Sequence, residues 1–195
     1  SLDKCTFKLA INGTEAGVIN KDTSYSSFFD GKSKVLSLTA TDDEGNALKK
    51  GTDFDYAVYR DPECTEPADD KEETTGVQEL IHAATYYLKI TGLDGSNYAG
   101  GERVYTYMIK PKNISPVDIV ITDQTYTGRA VVPDPANITV YYAEGGKNVT
   151  LDSQYVEVVS CEDNIEIGTN NAKAYIKLTG DYALAEGGVN RGTFS

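Results

Sequence analysis

Apolar and polar residues alternate along most of this chain, and a period of two marks strands with one buried and one wet face. In Tyr86-Tyr87-Leu88-Lys89-Ile90-Thr91-Gly92, for example, Leu88 and Ile90 share one face while Lys89 and Thr91 share the other. The same reading predicts strands over 6–11, 34–41, 54–60, 85–91, 103–110, 118–122, 138–142, 155–160, 172–179 and from 192 onward, the last cut short. Turn signals fall between them: Asn12-Gly13, Asp42-Asp43-Glu44-Gly45-Asn46, Asp94-Gly95-Ser96-Asn97 and Glu144-Gly145-Gly146. The glycine pairs Gly100-Gly101, Gly145-Gly146 and Gly187-Gly188 read as hairpin turns. No stretch of a dozen residues keeps a helical period with capping signals. The expected fold class is therefore all-β, a sandwich or barrel.

The strand motif occurs twice. Tyr86-Tyr87-Leu88-Lys89-Ile90-Thr91-Gly92 aligns with Ala174-Tyr175-Ile176-Lys177-Leu178-Thr179-Gly180 at an offset of 88 residues, with Ile176 and Leu178 on one face and Lys177 and Thr179 on the other. Upstream, Phe28-Phe29-Asp30-Gly31 lines up loosely with Thr125-Tyr126-Thr127-Gly128, and Asp53-Phe54-Asp55-Tyr56 with Gln154-Tyr155-Val156-Glu157. Two modules in the same internal order follow, 1–111 and 112–195. Lys110-Pro111-Lys112-Asn113-Ile114-Ser115-Pro116 marks the boundary, because neither proline can donate to a sheet ladder and each pushes the residue before it toward extended backbone. This segment is expected to be a short, stiff linker that holds the modules roughly end to end. The first module is the longer, through an acidic insertion at 61–73 that sets Asp61, Glu63, Glu66, Asp69, Asp70, Glu72 and Glu73 against Lys71.

Composition removes several functions. With 18 Lys and Arg against 30 Asp and Glu, the net charge is −12, which disfavours nucleic acid as a partner and keeps copies apart as soluble monomers. No run of apolar residues is long enough for a transmembrane helix, and the chain does not open on a signal-peptide pattern. His82 is the single histidine, so a zinc site or a Ser-His-Asp triad would rest on one imidazole, which is expected to be structural or exposed. Cys5, Cys64 and Cys161 form no CxxC pair; a Cys5–Cys64 bridge and three idle thiols both remain open, idle thiols being the expected state. Gly31-Lys32-Ser33 resembles the end of a phosphate-binding loop, but Ser26 stands where that loop needs its first glycine. The acidic insertion lacks the order and central glycine of an EF-hand and is expected to be a solvated loop. Asp53 and Asp55, two apart, would share one strand face, yet nothing else in the sequence converges on them. No catalytic residue, metal ligand or cofactor site is assigned.

Tyr126-Thr127-Gly128, Pro133, the strand 138–142, Tyr155 and the run from Tyr175 to Gly180 together resemble a tandem repeat of Gram-positive cell-surface proteins. The first half supplies Gly51-Thr52-Asp53-Phe54, Ile90-Thr91-Gly92 and Asn97-Tyr98-Ala99-Gly100, which is similar to that family's closing turn. Cys161-Glu162-Asp163-Asn164 replaces the family's asparagine-rich turn, and the acidic insertion interrupts the first copy. The resemblance implies two immunoglobulin-like β-sandwiches in tandem, extracellular and attached to a cell wall. Lys–Asn isopeptide crosslinks occur in some such domains, with Lys8 on the first strand as a candidate donor.

Three functions are compatible with this reading. A non-catalytic spacer needs only repeated rigid modules, with neighbouring repeats of the chain as partners. An adhesin module would bind a host glycan or surface protein, with Tyr105 and Tyr107, and Tyr141 and Tyr142, as candidate aromatic platforms. The competing role for those rings is core filling, since strand tyrosines are favoured wherever a face is half buried. An accessory domain of a larger secreted enzyme is the third.

Overall fold

A computed structural model describes residues 1–71, 76–125, 127–165 and 171–195. It is all-β apart from three single-turn 3-10 helices, and the chain divides into two compact units, Ser1–Lys110 and Pro111–Ser195.

The first unit contains β1 (Thr6–Ile11), β2 (Thr14–Ile19), β3 (Tyr25–Phe28), β4 (Leu36–Thr41), β5 (Ala47–Leu48), β6 (Phe54–Tyr59), β7 (Ala84–Gly92) and β8 (Glu102–Lys110). They form two four-stranded sheets, ordered β2-β1-β4-β5 and β3-β8-β7-β6. Alternation decides which side chains meet: Phe7, Leu9, Leu36, Leu38 and Ala40 from one sheet join Phe54, Val58, Tyr86, Leu88, Ile90 and Ile109 from the other in a single buried cluster. Phe7 and Phe54 meet edge to face across it, with ring centroids 5.7 Å apart. Two sheets closing on one core are consistent with a β-sandwich. The hairpin between β1 and β2 turns at Asn12 and Gly13, both at positive φ (50° and 78°), as a two-residue primed turn requires.

The second unit contains β9 (Lys112–Ile114), β10 (Pro116–Ile121), β11 (Ile138–Glu144), β12 (Lys147–Leu151), β13 (Val156–Glu162), β14 (Ala172–Leu178), β15 (Tyr182–Leu184) and β16 (Asn190–Phe194). Six of these form one sheet, ordered β12-β11-β10-β16-β14-β13, and β9 pairs with β15 in parallel. Ile121, Ile138, Val140, Leu151, Val156, Ala174, Ile176 and Phe194 build its core. In the first unit β3 runs parallel to β8, and in the second β10 runs parallel to β16. The order β3-β8-β7-β6 thus has the same form as β10-β16-β14-β13.

Several expectations need correction. The proline-flanked segment is not a short, stiff linker but part of the second unit, because Lys112–Ile114 is β9 and Pro116 opens β10, both hydrogen-bonded there. The expected stub from 192 onward is a five-residue strand paired with β14 at five positions, in the interior of the six-stranded sheet. Gly145-Gly146 does turn the β11–β12 hairpin, but Gly187-Gly188 joins β15 to β16, which lie in different sheets. Tyr126 and residues 72–75, which include Glu72 and Glu73 of the insertion, lie outside the described residues.

Candidate functional site

Period two settles most of the tyrosine assignments. Tyr105 and Tyr107 stand two apart on β8, so both turn to the same face, and that face is the core. Tyr107 is 0% exposed and its hydroxyl shares a 2.8 Å hydrogen bond with Ser27, while Tyr105 packs half-buried against the core. Burial pushes both phenols up from their ordinary pKa. Neither ring forms an open platform. Tyr141 and Tyr142 are neighbours on β11 and therefore point to opposite faces, so they form no shared platform either. Tyr142 is 6% exposed and packs against Tyr182, with centroids 6.3 Å apart; Lys112 Nζ lies 5.6 Å from its ring centroid. Burial, first, and the neighbouring Tyr182 raise its phenol far above the usual range. Of the four, only Tyr141 lies on the outer face of its sheet. Across that face stands Tyr175 on β14, whose hydroxyl donates to Glu162 at 3.0 Å. Its alternation with Lys177 and Thr179 in the repeated motif was the available signal.

The described part of the acidic insertion, residues 61–71, is held against the first unit and is no solvated loop. Ala68 and Leu80 are buried, and the Asp70 side chain is 1% exposed. One Asp70 oxygen takes the Arg60 guanidinium, and the other takes the backbone N–H groups of Ile81 and His82. The Tyr86 hydroxyl lies 3.3 Å from that second oxygen and donates to the His82 carbonyl at 2.7 Å. Burial, the largest influence, works to raise the Asp70 pKa; the two N–H donors and Arg60 outweigh it and hold the carboxyl below its ordinary value. His82 thus serves this cluster through its backbone, with its side chain exposed. Anchored there, Glu66 and Ala68 of the insertion and Gln78 beyond it cover the open edge of β6. Gln78 mimics a strand by accepting from Val58 N–H and donating to Val58 C=O, both at 2.7 Å, while Ala68 N–H reaches Val58 C=O and Arg60 N–H reaches Glu66 C=O, both at 2.8 Å.

Two other carboxylates, Asp61 and Asp53, are engaged in loop backbone. Asp61 accepts from the N–H groups of Thr65 and Glu66, and its pKa is lowered chiefly by the Glu66 bond. Asp53 lies before β6, not on it, and caps Lys49 N–H at 2.8 Å, so it shares no strand face with Asp55. Asp55 pairs with Lys50. Among the described residues, no group of three or more His, Cys, Asp or Glu side chains is placed to hold a metal ion. Cys5, Cys64 and Cys161 are free thiols. Lys8 is exposed and pairs with Glu15 at 3.2 Å.

No protein-family profile matches the chain, and no curated protein does. No helix among the described residues is long and apolar enough to cross a membrane.

Proposed function

We infer that the chain is a non-catalytic spacer of an extracellular bacterial surface protein, made of two variants of one immunoglobulin-like module. The observation that carries this reading is the shared four-strand order, β3-β8-β7-β6 and β10-β16-β14-β13, each on its own hydrophobic core. The repeated motif occupies the same place in both orders, on β7 and on β14. A spacer needs modules that keep their fold when the chain is loaded, and a separate core in each unit supplies that independence. The best-organised polar cluster, around Asp70, fits the same role, since its donors and acceptors hold a loop on a sheet edge.

Single-molecule pulling tests the reading. Two discrete unfolding steps are expected, the longer from Ser1–Lys110 and the shorter from Pro111–Ser195. Gradual lengthening without steps, or one step for the whole chain, would exclude independent load-bearing modules.

A further inference from the structure

The second unit carries a feature that a spacer does not require. β10 and β16 lie side by side in the middle of the six-stranded sheet, yet their parallel ladder is matched only at Val120 and Thr193. Toward the start of both strands they part, leaving a cleft of about 300 Å³ with chiefly polar walls, lined by Asp118 and Ile119 on one side and Asn190 and Arg191 on the other. Register places four outward side chains in a row across this opening. Tyr141 on β11 is opposite Asp118 on β10, and Tyr175 on β14 is opposite Arg191 on β16. Asp118 and Arg191 each stand two residues before the single matched pair, one on either lip. The row therefore reads Tyr141, Asp118, Arg191, Tyr175, with its two outer steps at the ordinary strand spacing of about 4.8 Å and its middle step widened by the cleft. Among the described residues neither Asp118 nor Arg191 has an ion-pair partner.

We propose that this row is a binding site for a short, neutral oligosaccharide, a role beyond the spacer reading. Two tyrosine rings at the ends offer apolar faces for sugar rings to rest on, and the Glu162 bond fixes the tip of Tyr175. Between them the Asp118 carboxylate accepts from hydroxyls and the Arg191 guanidinium donates to them. The two charges cancel, and a chain of net charge −12 repels polyanions, so the complementary ligand is uncharged and rich in hydroxyls. The adjacent row has small side chains at Thr139, Val120 and Thr193, leaving room for a ligand lying flat over β11, β10 and β16, and it ends on β14 at Lys173, which Glu162 and Asp163 hold. A peptide strand fits less well. Strand addition needs a continuous unpaired edge, whereas β10 is bonded to β11 and β16 to β14, and the opening between them closes at Val120.

The test is an amide NMR titration of the whole chain with cellotriose, maltotriose and fully N-acetylated chitotriose as neutral probes and sialyllactose as the anionic one. Saturable shifts confined to β10, β11, β14 and β16 are expected with at least one neutral probe. Tyr141→Ala and Tyr175→Ala should each weaken binding roughly five- to tenfold, and Tyr→Phe at either place should change it by less than about twofold. If an alanine variant melts below the parent, Asp118→Asn and Arg191→Gln take its place, with loss of binding again expected. Lys8→Ala, on the other unit, should leave the titration unchanged. Silence with every neutral probe, shifts elsewhere, preference for sialyllactose, or full binding by the Tyr141→Ala/Tyr175→Ala variant would each overturn the proposal. Pulling reads only mechanics, so this site and the spacer reading stand or fall separately.

Discussion

In the first unit the parallel pair β3 and β8 is matched at four positions, from Tyr25 with Tyr107 to Phe28 with Lys110; in the second, β10 and β16 meet at one. The edges differ as well. β6 is covered by Glu66 and Ala68 of the insertion and by Gln78, whereas among the described residues β13 has no such cover and carries a ladder irregularity between Val158 and Ser160 with Glu157 and Glu162 along its length. Both are recognised ways of blunting an edge, one by occupation and one by distortion and charge. One strand order therefore tolerates two solutions. The closed unit gains paired backbone, and the open one keeps a cleft with unpaired charges on its lips. Under load the second unit is expected to yield first.

The largest effect that would sharpen this contrast lies at the glycines ending the repeated motif. A Cβ on Gly92 would sit 1.8 Å from the Tyr98 carbonyl oxygen, inside backbone that cannot move aside, whereas Gly180 has φ +64° and its Cβ would meet only the Tyr155 ring at 3.3 Å. Gly92→Ala should cost the first unit about 4 kcal/mol, and Gly180→Ala should cost the second about 1–2 kcal/mol, mainly from left-handed backbone. Equal costs in thermal melts would show that the two glycines do the same job.

Next in size is Asp70→Ala. It strands the N–H groups of Ile81 and His82 and frees Arg60, at a cost of about 2–3 kcal/mol, discounted because Arg60 is partly exposed. Only the first unit's transition should fall, and proteolysis should then begin in the insertion. A shift in both transitions would contradict separate cores.

The smallest expected effect is acid sensitivity. Asp70 has a depressed folded pKa, so its stabilisation is complete above the unfolded carboxyl value of about 3.9 and is lost as pH falls below that value through the folded pKa. Asp30, held low by Lys34, and Asp42, held low by Asn46, act in the same direction in the first unit, as Glu144 beside Lys112 does in the second. Melts at pH 3 and pH 7 should therefore show the first unit losing more. An equal loss would mean that the Asp70 cluster contributes little.

Strands with a strong apolar alternation were legible. Thr6–Ile11 coincides with its expected range, β6, β8 and β14 differ from theirs by one residue at one end, and β7 by one residue at each end. β2, β3, β12 and β15 escaped because Thr14–Ile19, Tyr25–Phe28, Lys147–Leu151 and Tyr182–Leu184 bury few side chains, and their strand state comes from pairing with a neighbour. The tyrosines show the same division. Parity alone could have separated Tyr141 from Tyr142 and joined Tyr105 to Tyr107, but which face was the core depended on the opposite sheet. The Asp70 cluster was not legible, since its partners Arg60, Ile81 and Tyr86 come from both sides of the insertion.

The amino-acid sequence by itself determined an all-β chain, because alternation is a local property that each strand carries in its own residues. It also determined the Asn12-Gly13 turn, where two consecutive residues at positive φ are a demand on local sterics. Only the tertiary structure decided that Asp70 is buried, that Gly92 has no room for a methyl group, and that Asp118 and Arg191 face each other across a parting between strands. Each of these is set by which segments, distant along the chain, lie side by side. Pairing of that kind is selected by burial of the whole core and leaves no short-range pattern to read.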